Sequence, residues 1–392
     1  MVHSNKAWFA AVALAGVSAL TLVGCSGGGG GTASSSAPAA DYKAHTCADG
    51  TTSADTLKIG TLLPVTGTLA FLGPPEIAGV GLAVNDIVAA GTKACTFETD
   101  SGDSTDLTVS TASAAKLIDA KVSAVIGAAS SSVSQNVVAS ITKTPIVQIS
   151  PANTAATLSG ISPFYFRTAP PDTVQGSALG QQIVKDGNAK VAFLVFNDSY
   201  GTGLRDTIQS TVEAAGGEIT YGAKGKGQEF PPGQTTFSSE VTAAIASKPD
   251  AIVIIAFDET KAIVPELVSQ SWDMSKTYYT DGNTSDYSKV FDKGTLKGAQ
   301  GTIPGVNPNK KFKQQASDWY KATNGKALSD FSYAAESYDA VVLAALAAAK
   351  GGATDPTTIQ KNMHAVSGAA EDGTPLSGAT KCESYADCLK LI

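Results

Sequence analysis

Short apolar runs alternate along this chain with stretches patterned at helical spacing, and several runs are apolar throughout beyond their first or second residue. "VSAVIG", "AKVAFLVF" and "DAIVIIAF" are of this kind. Such strands are covered on both faces, as in parallel sheets flanked by helices, so the chain reads as α/β. "TLKIGTLLP", "CTFETD", "TPIVQIS", "EITYGA" and "KTYYTDG" supply further strands. "PPEIAGVGLAVNDIVAAG" and "LTVSTASAAKLIDA" show the helical period between them, the first closed by glycine. In sheets of this type ligands sit beyond the carboxyl ends of the strands, where loops and helix N-termini converge.

Residues 1–24 have His3 and Lys6 ahead of an uncharged apolar stretch that ends in "LVGC", the pattern of a lipoprotein signal peptide. Cleavage before Cys25 would leave a lipidated cysteine, placing the protein outside the cytoplasm on the outer face of the cell membrane. The following "SGGGGGTASSSAPAA", within residues 25–55, reads as a flexible tether. From Asp41 onward no segment is long and apolar enough to span a bilayer. The mature chain carries 27 basic against 35 acidic residues, a net charge of −8, which disfavours nucleic acid as a partner. A body of about 340 residues exceeds what one hydrophobic core usually organises, so two lobes are expected.

Four cysteines remain after Cys25: Cys47, Cys95, Cys382 and Cys388. An even count in an exported chain indicates disulfides, and of the three pairings we favour Cys47 with Cys95 and Cys382 with Cys388. A zinc site is the weaker reading, because no C-x-x-C occurs and only His45 and His364 remain. Asp100, Asp103 and Asp106 lack the alternate-position carboxylates and central glycine of a calcium loop, and capping or turn chemistry explains them more simply. No cofactor is implied.

Two strands end in hydroxyl-rich turns. Ser130, Ser131 and Ser132 open the helix "SSVSQNVVASI", where free N–H groups and the helix dipole favour an anion. "SPANT" offers the Ala152 N–H and the Thr154 hydroxyl from a neighbouring strand. Together they would hold a carboxylate without arginine; plain helix capping is the competing explanation.

"LKIGTLLPVTGTLAFLG", "VSAVIGAASSSVSQ", "PIVQISPANTAATL", "FYFRTAP", "VAFLVFNDSYGTGL", "FSSEVTAAIASKPDAIVIIAF" and "SYDAVVLAALAAA" occur in one colinear order. In that order and spacing the chain resembles the type I periplasmic binding proteins, most nearly the leucine/isoleucine/valine-binding branch that serves amino-acid ABC importers. The resemblance runs over roughly residues 56–349. It implies two doubly wound, Rossmann-like lobes joined by three crossovers at a hinge, closing on a ligand as a Venus flytrap. Residues 56–170 and 300–366 would form the first lobe, and 171–299 and 367–392 the second.

By matched position the resemblance gives Ser131, Ala152 and Thr154 the ligand carboxylate, and Tyr200 and Asp281 the ammonium. Leu72 and Phe257 fall on side-chain positions and suit an apolar or aromatic ligand. Asp281 also suits the first place of a turn at "DGN", and Leu72 and Phe257 suit ordinary core. Asp258 and Glu259 would select a polar or cationic ligand if they pointed inward. The implied function is capture of an amino acid, branched-chain or otherwise apolar, by a monomer that delivers it to ABC permease subunits. The alternatives are urea, short amides or aromatic acids as ligands, or a ligand-sensing receptor domain. From Asp41 onward no G-x-S-x-G, H-E-x-x-H or phosphate-loop motif occurs, so the chain is not expected to be an enzyme. Members usually continue past the equivalent of "SYADCLKLI" into a last crossover and strand; the sequence ends at Ile392, so either it is a fragment or that crossover is missing.

Overall fold

The computed structural model describes residues 41–100, 106–370, 374 and 376–392. The signal peptide, Cys25 and most of the tether lie outside the described residues, as does Asp103.

The first sheet comprises β1 (Leu57–Leu62), β2 (Ala94–Glu98), β3 (Ala124–Gly127), β4 (Val147–Ser150) and β5 (Tyr165–Arg167). Its order is β2-β1-β3-β4-β5, all parallel. Helices α1 (Gly73–Ala89), α2 (Leu107–Asp119) and α3 (Ser131–Lys143) connect its strands. After β5 the chain enters α4 (Asp172–Lys185) and a second sheet of β6 (Lys190–Val195), β7 (Glu218–Tyr221), β8 (Ala251–Ile255), β9 (Thr277–Tyr279) and β10 (Gln300–Gly301). Here the order is β10-β9-β8-β6-β7, again parallel, with α5 (Ser199–Ala214), α6 (Ser238–Ala246) and α7 (Thr260–Ser269) as crossovers. Read from the other edge, this is the first sheet's pattern repeated, so the two lobes are doubly wound alike. The chain then returns to the first lobe through α8 (Lys310–Asn324), α9 (Ala334–Gly351), α10 (Pro356–Ser367) and α11 (Tyr385–Leu389).

The apolar runs occupy the positions their composition demands. Every residue of β8 is fully buried, and β6 is buried from Val191 to Val195. Burying a large aliphatic side chain stabilises by about 1.5–3 kcal/mol, so these central strands anchor the second lobe. Helix starts follow side-chain chemistry. Asp106 accepts from the Thr108 and Val109 amides at 3.1 Å each and so caps α2, while Asp100 accepts from Leu63 N. The capping explanation holds for Asp106, whereas Asp100 ties the end of β2 to the segment after β1.

Both favoured disulfides are present, Cys47 to Cys95 and Cys382 to Cys388. The first fixes the N-terminal extension to the sheet edge, where Cys47 N donates to Thr96 O and Thr96 N to His45 O. No helix among the described residues is long and apolar enough to cross a membrane.

Two boundaries differ from expectation. Gln300 and Gly301 pair with β9, so the return to the first lobe begins after them. Residues 376–392 do not join the second lobe: Tyr385 and Cys388 sit in the first lobe's core, and Tyr385 Oη lies 3.0 Å from Thr92 Oγ1. Accordingly the described residues trace two crossovers between the lobes where the resemblance implied three. Gln175 Nε2 ties the two together through Thr302 O and Oγ1, at 3.3 and 3.1 Å. Gly305 is required on the return path: its φ is 95°, and an added Cβ would lie 2.1 Å from Glu336 Oε1.

Candidate ligand-binding site

Seven positions singled out in the sequence, Leu72, Ser131, Ala152, Thr154, Tyr200, Phe257 and Asp281, line one narrow space between the lobes, with Leu69, Ala129, Ser130 and Gly282. Each follows the carboxyl end of a strand. Leu69 and Leu72 come after β1, the serines after β3, and Ala152 and Thr154 after β4. From the second lobe Tyr200 comes after β6, Phe257 after β8 and Asp281 after β9.

The three serines divide their work. Ser130 is the N-cap of α3, its Oγ accepting from Val133 N at 3.5 Å and lying 3.1 Å from Ser132 Oγ. Ser131 Oγ accepts from Ala155 N at 3.3 Å and thereby joins the two hydroxyl turns. Its own proton remains to be donated into the pocket. The second turn is braced from behind: Ser150 Oγ accepts from Ala152 N and Asn153 N at 3.3 and 2.9 Å, and Asn153 Nδ2 donates to Ala129 O. Capping of α3 is therefore carried by Ser130, and Ser131 is left free of that task.

Opposite stands a carboxylate with hydroxyl donors. Tyr200 donates to Asp281 Oδ1 at 2.7 Å, and Tyr333 donates to Oδ2 at 2.6 Å. Gly282 N donates to Tyr200 Oη at 3.1 Å. Burial raises the Asp281 carboxyl above its ordinary value, and the Tyr333 and Tyr200 hydroxyls oppose that rise by stabilising the anion. Burial pushes both tyrosines well above 10, with the Asp281 charge adding to it, so they stay protonated donors. The turn at "DGN" does not use the aspartate side chain. Thr280 and Asn283 close it as a capping box, with Asn283 Oδ1 2.8 Å from Thr280 N.

Phe257 forms the apolar wall, stacked on Tyr200 with ring centroids 5.7 Å apart and packed on Phe196 at 4.8 Å. Gly282 has to be small, because a Cβ there would lie 2.8 Å from the Phe257 ring. Asp258 and Glu259 point elsewhere. Asp258 pairs with Lys261, and Glu259 accepts from Phe257 N and Gly233 N, bracing the loop beneath the wall. The lobes also meet directly, Asp258 N donating to Thr68 O at 3.1 Å.

Two side chains beside the pocket were not read from the sequence. Tyr333 is the N-cap of α9 in a left-handed conformation, φ 59°, far in sequence from its partner. Asp172 is fully buried at the start of α4, its N–H donating to Thr154 O at 2.7 Å.

No lysine or arginine lines the space. Dipolar donors on one side and one carboxylate on the other form a site suited to a net-neutral ligand carrying both charges, since each buried charge then meets a partner.

Residues 56–381 match the family model described as periplasmic binding protein. A similar curated protein is the leucine-, isoleucine-, valine-, threonine- and alanine-binding protein of Pseudomonas aeruginosa, 31% identical over 167 residues. That match spans 42% of this chain and 45% of the relative, less than half its length. The fold is also that of a leucine-binding protein from Thermotoga maritima, with a TM-score of 0.69 and 21% identity over 85% of this chain and 93% of that one. A branched-chain amino acid transporter substrate-binding protein from Streptococcus pneumoniae, solved with isoleucine, aligns with a TM-score of 0.66 and 25% identity over 79% and 88% of the two chains.

Proposed function

The chain belongs to the periplasmic binding protein family, and we propose that it is the substrate-binding protein of an ABC importer, capturing an amino acid with an apolar side chain between its lobes. The carrying observation is the division of charge partners. Ser131, Ala152 and Thr154 belong to the first lobe and Asp281 with Tyr200 to the second, so only a closed cleft serves both ends of a zwitterion. The ligand carboxylate takes the Ser131 and Thr154 hydroxyls and shares the Ala152 N–H, whose contact with Ser150 Oγ is long at 3.3 Å. Its ammonium takes Asp281, and its side chain lies against Leu69, Leu72 and Phe257. Closure removes water from both contacts, strengthening them, and gives permease subunits a surface that differs between empty and loaded states. Isoleucine in the Streptococcus relative and the ligand names of the Pseudomonas relative support an aliphatic side chain. Lipidation at Cys25 would hold the protein at the outer face of the membrane, with the glycine-rich tether letting it move above the bilayer.

Thermal-shift screening of the mature chain against the L-amino acids, urea, short amides and aromatic acids tests this. A tight ligand raises the melting temperature by mass action. Aliphatic amino acids are expected to give the largest rise. A rise with aromatic acids or amides and none with amino acids would overturn the reading.

A further inference from the structure

One carboxyl beside the pocket has no task in that scheme. Asp172 is fully buried, and neither of its side-chain oxygens has a hydrogen-bond partner. It stands where the lobes meet. Arg167, at the end of β5, faces it from the first lobe; Asp198, Tyr200 and Asp281 face it from the second, and Tyr333 from the head of α9. The one cation in this group is committed elsewhere: the Arg167 guanidinium donates to Ala155 O at 2.9 Å, to Asn153 O at 3.5 Å and to Ser159 Oγ.

Two buried carboxyls within Coulomb range resolve into one anion and one neutral acid. The hydrogen bonds decide which is which. Asp281 receives the Tyr200 and Tyr333 hydroxyls, which favour its anion, whereas Asp172 has only the Thr154 hydroxyl beside it, outside hydrogen-bond geometry. A zwitterion is neutral and its ammonium offsets a single carboxylate, so ionising Asp172 as well would leave the enclosed site with surplus negative charge. We propose that Asp172 is the protonated partner of Asp281 in the closed cleft and that it takes this proton from solvent as ligand is captured. The step is a simple one: a carboxylate oxygen gains H⁺ from the buffer, and no other bond changes. Burial, with the Asp281 charge adding to it, drives the Asp172 carboxyl well above its ordinary value in the closed form. Separation of the lobes would withdraw Thr154 and Arg167 from one side, and water reaching Asp172 would let it ionise as an exposed aspartate does.

The sign follows from linkage. A group whose protonation equilibrium is raised in the bound form makes binding tighten as pH falls and weaken as pH rises, across the window between its free and bound values. The dissociation constant should rise up to tenfold per pH unit there.

The inference rests on amino-acid capture, and calorimetry separates the two. L-leucine titrated into the mature chain at pH 6.5, in buffers of unequal ionisation enthalpy, should show uptake close to one proton. Asp172→Asn should abolish the uptake and flatten the pH dependence of affinity between pH 5.5 and 7.5. Should that variant not fold, the buffer series and pH profile of the unaltered chain decide alone. Binding heat without buffer dependence, or uptake that persists in Asp172→Asn, overturns the proton step and leaves the amino-acid site standing. No heat with L-leucine or any other amino acid overturns both.

Discussion

Tyr333 and Asp281 are joined by a 2.6 Å hydrogen bond across 52 residues of chain, connecting the head of a first-lobe helix to a turn of the second lobe. The bond crosses the junction on which closure depends and reaches the carboxylate assigned to the ligand's ammonium. Tyr333→Phe removes only the hydroxyl. Hydrogen bonds to charged groups are worth about 1.5–3 kcal/mol, so amino-acid affinity should fall roughly tenfold to a hundredfold by calorimetry. A variant that binds as tightly as the unaltered chain would show that the bond is idle in the loaded state.

Asp281→Asn keeps size and shape but removes the negative charge. Because Thr280 and Asn283 close the turn themselves, folding should be little affected while amino-acid binding is lost or weakened by at least a hundredfold. Equal losses of melting temperature and of affinity would return Asp281 to a structural role.

Thr154→Val and Ser131→Ala test the other end separately. Thr154→Val should weaken every amino-acid ligand alike with little change in melting temperature. Ser131→Ala should weaken binding and also lower stability by about 1 kcal/mol, since Ala155 N loses its acceptor in a buried turn. Unchanged affinity in the double variant would leave both hydroxyls as turn chemistry.

Cys25→Ser should release a folded, ligand-binding protein from membranes, because the anchor and the pocket lie on separate parts of the chain. Fractionation reads the result; a mutant that stays with membranes after signal cleavage would require another anchor.

The lobes were legible because strands such as Ala251–Ile255 have no polar face, which parallel sheets alone accommodate among the alternatives. Of the candidate site, the serine turn and "SPANT" were legible as small hydroxyls after apolar runs, whereas Tyr200, Asp281, Leu72 and Phe257 came only by matched position from the family resemblance. Strands β5 and β10, three and two residues long, are too short to show a period. Helix α11 shows an apolar face in sequence but not which core that face enters, so residues 367–392 were assigned to the wrong lobe. Tyr333 and Asp172 went unread for a related reason. Each gains its meaning from a partner brought close only by tertiary folding.

A crystal structure of the mature chain with the amino acid that raises its melting temperature most would test the central claim directly. The ligand carboxylate should lie within hydrogen-bond reach of Ser131 Oγ, Thr154 Oγ1 and Ala152 N, and the ammonium on Asp281, with both lobes in contact. A ligand seated on one lobe alone, or with its ammonium toward the serine turn, would contradict it.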